Sequence, residues 1–236
     1  MEQIYAIPVN EAFRECKGKI ECGCPFCSIH RKLEENELDL ILGASMMEPD
    51  TRIKTNKEGF CRKHYDMMFV RKNRLGMALT LESHLDELRE DMKDTLAGKI
   101  AGKKGDRAVK RIKALEDTCY VCKRIEYHFE HMIETAVLLW ESQEDFPSLV
   151  KEQPYYCLPH YRRMVEYASN RLSKKKYAEF EEHCSAPQYK YFDKLREDVS
   201  WFCKKYDYRY DEEPWYDSKD AVERAIKFLR SDLHND

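Results

Sequence analysis

The sequence predicts an all-α protein with two tandem helical modules, each clasped by a Cys3His zinc site, and a C-terminal helical extension. Three observations support this prediction. A cysteine–histidine motif occurs twice, apolar residues recur at helical spacing, and glycine and proline cluster between the periodic stretches. The chain has 236 residues, of which 36% are charged, and its formal net charge is -3. It is therefore long enough to bury a core and is not globally basic.

The repeated motif is CxxC followed, after 33 residues in the first copy and 34 in the second, by CxxHY with an aromatic residue before it. Three thiols and one imidazole per copy form the donor set of a tetrahedral zinc site. The eight candidate metal ligands are Cys24, Cys27, Cys61 and His64 in the first copy and Cys119, Cys122, Cys157 and His160 in the second. We therefore expect two zinc ions per chain, one within each copy.

The donor set favours zinc, or another thiophilic metal in the same role. Iron–sulfur clusters usually take four thiolates, and a Cys3His set suits zinc better. Four protein ligands leave no open position on the metal, so both sites are interpreted as structural, without catalytic residues. Cys22 competes with Cys24 as a ligand, but the repeat favours Cys24 because nothing equivalent to Cys22 precedes Cys119.

The first copy begins with a short extended lead over residues 4–9 and a brief helix capped by Asn10. A helix is predicted over 28–47 and ended by Pro49, followed by a loop over 48–59. The next helix starts at CxxH and runs to about Gly98, with a kink at Gly76. A 20-residue helix is about 30 Å long, so the loop must return along it, or the helices must cross, for one metal to join both ligand pairs. In this arrangement the ligand pairs sit at helix N-termini, where thiolates are favoured.

The second copy repeats this plan after a Gly/Lys linker. A basic helix over 107–116 leads into a helix over 123–143, and a loop containing Pro147 and Pro154 follows. The next helix opens at Leu158 and ends near Pro187. The predicted segments are the lead and first module (1–97), the linker (98–106), the second module (107–186) and an aromatic-rich helical extension (187–236).

The extension has no counterpart in the first copy. A helix is predicted over 189–206, and a last helix, capped near Ser218, carries Val222, Ile226 and Leu229. Its dense aromatic residues are interpreted as packing against the modules, with a partner-binding face as the alternative.

Two further clusters of metal-binding residue types are set aside. His128, His131 and Glu134 share a helix face, but nothing in the first copy matches them. Cys184 and Cys203 would lie on the two arms of a hairpin, ~22 Å apart. We interpret these cysteines as buried or incidental thiols.

The main functional hypothesis is a cytoplasmic, zinc-stabilised interaction or adaptor protein with an unknown protein partner and no catalysis. The N-terminus lacks a signal-peptide pattern, no apolar run is long enough to span a membrane, and ten cysteines favour metal binding over disulfides in a reducing compartment. One alternative is nucleic-acid binding through basic clusters at 99–113 and 162–176. The other is a redox switch in which oxidised thiolates release zinc, with Cys22 as the resolving thiol for Cys24.

The doubled layout of CPxC…FCxxHY and CxxC…YCxxHY resembles an uncharacterised bacterial family of domain-of-unknown-function proteins. The resemblance covers most of residues 20–185 and rests on the eight ligand positions and their aromatic neighbours. It supports the metal sites and implies no reaction.

Overall fold

The computed structural model describes residues 3–93 and 103–233, and in these ranges it contains helices and no strand. The all-α prediction is confirmed. None of the described helices combines the length and apolar composition needed to cross a bilayer. The helices are α1 (Gln3–Cys16), α2 (Pro25–Leu42), α3 (Pro49–Glu58), α4 (Arg62–Val70), α5 (Arg74–Asp91), α6 (Lys103–Glu116), α7 (Tyr120–Ser142), α8 (Phe146–Lys151), α9 (Leu158–Arg171), α10 (Lys174–Lys204) and α11 (Ala221–Arg230).

The chain divides into two compact units. Unit 1 contains residues 1–31 and 129–236, and unit 2 contains residues 32–128. The boundaries fall inside α2 and α7. The four segments predicted above are a division by motif and stay a prediction. Of the predicted linker, residues 98–102 lie outside the described ranges, while residues 103–106 belong to α6.

The core of unit 1 is aromatic. Phe13 of α1 is fully buried, and its ring centroid lies 5.4 Å from that of Phe26 and 4.9 Å from that of Phe146. Further along the chain, Tyr155 stacks on Tyr191 of α10 with ring centroids 4.0 Å apart. This packing brings α1, the start of α2, α8 and α10 around one core.

Unit 2 has a more aliphatic core in which α2, α4, α5 and the start of α7 meet. Burying these side chains supplies the main stabilising free energy of the unit. The cluster consists of Leu38, Ile41, Leu42, Phe60, Met68, Met77, Cys119, Tyr120, Val121 and Ile125.

Three helix boundaries that the sequence analysis placed at or near a proline were wrong. The predicted extended lead is helical because α1 continues through Pro8, where burial of Tyr5, Val9 and Phe13 outweighs the hydrogen bond that proline removes. Pro49 opens α3 within the predicted loop, since proline is well tolerated at the first helical position. Pro187 lies inside α10 rather than at a helix end.

Two predicted long helices are each divided by a cap. The helix expected from CxxH to Gly98 is split into α4 and α5, because the Oδ1 atom of Asn73 accepts a hydrogen bond from the N–H of Gly76 and caps α5. The helix expected to run from Leu158 to Pro187 ends at Arg171. Ser173 then caps α10 by accepting a hydrogen bond from the N–H of Lys176.

The last helix packs by a different face from its apolar stripe. Val222, Ile226 and Leu229 are 41%, 56% and 51% exposed, whereas Phe228 is 1% exposed and contacts the rings of Tyr155 and Tyr191.

We expect Phe228→Ala to lower the free energy of unfolding by about 3–5 kcal/mol. The control Ile226→Ala should stay within about 0.5 kcal/mol of wild type. Urea denaturation measures both, and equal effects would contradict this packing.

Candidate metal centres

All four ligand pairs lie at helix starts, as predicted. Cys61 and Cys157 are the N-cap residues of α4 and α9, and Cys24 and Cys119 immediately precede α2 and α7. The carbonyl oxygen of each accepts a hydrogen bond from the N–H four residues later, at 2.9–3.3 Å. The second ligand of each pair follows three residues on and therefore lies on the same face of the first helical turn.

The structure assembles these pairs across the two copies of the motif. Group A consists of Cys24, Cys27, Cys157 and His160, and group B of Cys61, His64, Cys119 and Cys122. Within each group the ligand atoms all lie within 4.8 Å of one another. The presence of two Cys3His groups is confirmed. The prediction that each copy holds its own ion was wrong, because the CxxC of each copy meets the CxxH of the other.

Helix length gives the physical reason for this exchange. The 18 residues of α2 span about 27 Å, so the chain leaves α2 far from Cys24, where that helix begins. The next CxxH pair contacts α2 further along the helix, where the Nε2 atom of His64 lies 3.1 Å from Oε1 of Glu34. The segment after α2 therefore does not have to run back along α2 to bring the CxxH pair to a metal.

Group A has the spacing of a closed four-ligand site. The Nδ1 atom of His160 lies 3.1 Å from Sγ of Cys157, 3.5 Å from Sγ of Cys27 and 3.7 Å from Sγ of Cys24. The Sγ atoms of Cys27 and Cys157 are 3.8 Å apart. His160 therefore presents Nδ1, not Nε2, to the three thiols.

Group B has nearly the same geometry. The Nδ1 atom of His64 lies 3.2 Å from Sγ of both Cys61 and Cys119, and 3.4 Å from Sγ of Cys122. The Sγ atoms of Cys61 and Cys122 are 3.8 Å apart. Again one imidazole nitrogen faces three thiols.

These distances fit a tetrahedral zinc ion. With Zn–S bonds of about 2.3 Å and Zn–N bonds of about 2.0–2.1 Å, tetrahedral geometry places two sulfurs about 3.8 Å apart and a sulfur and nitrogen about 3.6 Å apart. The one Sγ–Sγ distance given for each group, 3.8 Å, matches this value. The Sγ–Nδ1 distances of 3.1–3.7 Å lie within about 0.5 Å of the ideal value. Both sets of residues could therefore hold the ion.

Group A lies in an apolar environment. Its four ligand residues are at most 3% exposed, and the ring of His160 contacts those of Phe26 and Phe129, with centroids 6.0 Å and 5.0 Å away. Burial, aided by the nearby charges of His30 and Arg163, lowers the pKa of His160 to about 3. Burial also raises the pKa of the Cys24 thiol. The imidazole is thus neutral, which is the form that binds metals.

Group B has a polar second layer that the sequence did not reveal. The Nε2 atom of His64 lies 3.1 Å from Oε1 of Glu34, and Nζ of Lys63 donates to the same oxygen at 2.7 Å. Burial raises the pKa of Glu34, but its bonds with His64 and Lys63 outweigh this effect and lower the pKa to about 2. A carboxylate bonded to the outer nitrogen of a ligating histidine fixes its tautomer and orientation.

Glu34 is one of several acidic residues of α2, yet it is only 6% exposed. Nothing in its immediate sequence distinguishes it from Glu35, which is exposed. Only the tertiary contact with the CxxH pair identifies its role.

We expect Glu34→Gln to weaken metal binding by group B, tested with zinc, about 10–100-fold, because the outer nitrogen of His64 loses its charged acceptor. Group A should retain wild-type affinity. Titration with a competing chromophoric chelator measures both affinities. The control Glu35→Gln should change neither, and an equal loss in the two variants would exclude a specific role for Glu34.

The other cysteines and histidines in the described part of the chain lie outside both groups. Cys16 and Cys22 form a disulfide, which differs from the expectation of metal binding over disulfides. Cys184 is buried and Cys203 exposed. Among the described residues, neither these two cysteines nor the cluster of His128, His131 and Glu134 enters a metal-binding group. The hairpin expected to carry Cys184 and Cys203 was wrong, because both lie on the single helix α10.

The fold and its two groups define an all-α protein with two candidate Cys3His metal centres. The chain belongs to a family of unknown function, DUF6062, whose match covers residues 1–236. This confirms the resemblance and extends it over the C-terminal third. No curated protein and no solved structure matches the chain.

Proposed function

We propose that the protein binds two zinc ions per chain, one in each group, and that both ions are structural. The observation that carries this proposal is that three cysteine Sγ atoms and one histidine Nδ1 atom lie within 4.8 Å of one another in both groups. Zinc prefers this donor set. Four protein ligands complete its coordination, so each bound ion would hold two helix starts together rather than activate a substrate.

Elemental analysis of protein purified without chelators or added metal tests this proposal. The expected result is two zinc ions and no iron per chain. Iron in place of zinc, or fully reduced thiols without any metal, would contradict the proposal.

The proposed biological role is that of a non-catalytic interaction or adaptor protein in the cytoplasm, with a protein partner. The zinc proposal supports the compartment, because the cytoplasm keeps thiol ligands reduced. The Cys16–Cys22 disulfide points to an oxidising compartment instead. Blocking the free thiols of the protein in intact cells distinguishes a reducing compartment from an oxidising one. Reduced Cys16 and Cys22 would support the cytoplasm, and a quantitative disulfide would contradict it.

The nucleic-acid alternative loses support from the ion pairs of the second basic cluster. Arg162 pairs with Glu166, Lys176 pairs with Glu141, and Arg163 lies over the ring of Phe129. Part of the cluster's charge is therefore already compensated. Salt-dependent binding that weakens when residues 174–176 become glutamate would restore this alternative.

A further inference from the structure

The two groups differ in their access to solvent. In group A all four ligand residues are at most 3% exposed. In group B, His64 and Cys119 are buried, but Cys61 is partly exposed and Cys122 is exposed. The two accessible thiols are those whose Sγ atoms lie 3.8 Å apart. Group B therefore contains two neighbouring cysteines that are at least partly exposed, whereas every cysteine of group A is buried.

Resting on the zinc proposal, we propose that Cys61 and Cys122 form an oxidation site, at which a hydroperoxide converts two zinc-bound thiolates into a disulfide and releases the zinc ion of group B. Cys122 is the thiolate that reacts first, since it is the most exposed ligand of the group. Cys61 is the resolving thiolate. Group A keeps its zinc under the same conditions.

The chemical step balances with hydrogen peroxide as the oxidant. The Cys122 thiolate attacks one peroxide oxygen, the O–O bond breaks, and the departing hydroxide takes a proton to form water. The Cys61 thiolate then attacks the resulting sulfenic sulfur, the S–O bond breaks, and a second hydroxide takes a proton to form water. Two thiolates, one peroxide and two protons thus give one disulfide and two waters, with two electrons passing from sulfur to oxygen.

The geometry allows this bond with a small movement. A disulfide requires an S–S distance of about 2.03–2.05 Å, so the two Sγ atoms must approach by about 1.7 Å. Cys61 is the N-cap residue of α4 rather than an interior residue of the helix. After the reaction only His64 and Cys119 remain as ligands, and two ligands do not hold zinc in a structural site.

This assignment replaces the resolving thiol considered from the sequence. Cys22 was the candidate partner of Cys24, but Cys22 is bonded to Cys16 and Cys24 is 2% exposed. Thiolate oxidation depends on exposure as well as on charge. The accessible pair lies in the other group.

The test treats the zinc-loaded full chain with hydrogen peroxide in the presence of a chromophoric zinc indicator. We expect one zinc equivalent per chain to be released first, and the second at least about tenfold more slowly. Peptide mapping after blocking free thiols should find a Cys61–Cys122 disulfide. A Cys119–Cys122 disulfide, or equal release from both groups, would overturn the proposal.

Two variants distinguish this site from general thiol oxidation. Cys122→His replaces the thiolate that reacts first by another zinc-binding side chain, and any zinc that group B retains in this variant should no longer be released rapidly. Cys203→Ser removes an exposed cysteine outside both groups and should leave the rapid release unchanged. Rapid release in Cys122→His, or its loss in Cys203→Ser, would refute the assignment.

The zinc proposal and the oxidation proposal fail in different ways. Denaturing the untreated protein before the peroxide experiment measures its total zinc. Two zinc equivalents without peroxide-driven release would leave the structural zinc proposal intact and overturn the oxidation site. No zinc before treatment would overturn both.

Discussion

Removal of zinc from both groups is expected to abolish the cooperative unfolding transition of the protein. Structural zinc sites in zinc-finger peptides contribute about 10–16 kcal/mol near neutral pH, whereas a whole domain is stable by only about 5–15 kcal/mol. Group A joins Cys27 to Cys157 across 130 sequence positions, and group B joins Cys61 to Cys122 across 61. Without the ions, the chain loses the closure of both long loops.

Near-UV circular dichroism during urea titration measures this loss of fixed aromatic packing. Adding a strong zinc chelator should give a broad, non-cooperative curve, and returning zinc should restore the sharp transition. The same chelator already saturated with zinc is the matched control. An identical urea midpoint with and without zinc would show that the ions contribute no stability.

Cys157→Ser is expected to have the largest effect of any single substitution at a ligand. Cys157 is 0% exposed and is the N-cap residue of α9, so losing its thiol opens group A in the middle of the core of unit 1. We expect the loss of one zinc ion per chain, and a free energy of unfolding lower by more than the about 2–5 kcal/mol typical of a large core truncation.

Cys184→Ser is the matched control for burying a serine hydroxyl. Cys184 is also 0% exposed but lies outside both groups. This variant should keep two zinc ions, with a cost of about 1–3 kcal/mol for the buried hydroxyl. Elemental analysis and urea denaturation of the two variants measure both quantities. Equal zinc loss in the two proteins would mean that the ligands have been assigned wrongly.

Much of the fold follows from local sequence. The apolar periodicity predicts the all-α class, and the repeated motif places every ligand pair at a helix start, as in α4 and α9. Two of the boundaries that failed involve Pro8 and Pro187, where a proline inside a helix costs one hydrogen bond and the burial of neighbours such as Phe13 and Tyr191 outweighs that cost. Local propensity cannot weigh such tertiary contacts.

The sequence predicts which residues form the candidate sites, but it does not predict which CxxC pair meets which CxxH pair. The residue types and their spacing identify the ligands, but the same eight residues are compatible with pairing within copies or between them. Helix length was the relevant signal. A helix of about 30 Å separates the two ligand pairs of one copy, so a single ion cannot bind both pairs unless the chain returns along that helix. Because the CxxC of each copy pairs with the CxxH of the other, Cys24 and Cys61 belong to different groups and this return of the chain is not needed. The contact of Glu34 with His64 has no local sequence signal.

The zinc content of two double variants tests this assembly most directly. In Cys24→Ser/Cys157→Ser both substitutions fall in group A, so the account predicts that one zinc ion per chain remains. In Cys24→Ser/Cys61→Ser one substitution falls in each group, so no zinc should remain. The reverse result, with no zinc in the first variant and one ion in the second, would show that each copy of the motif holds its own metal.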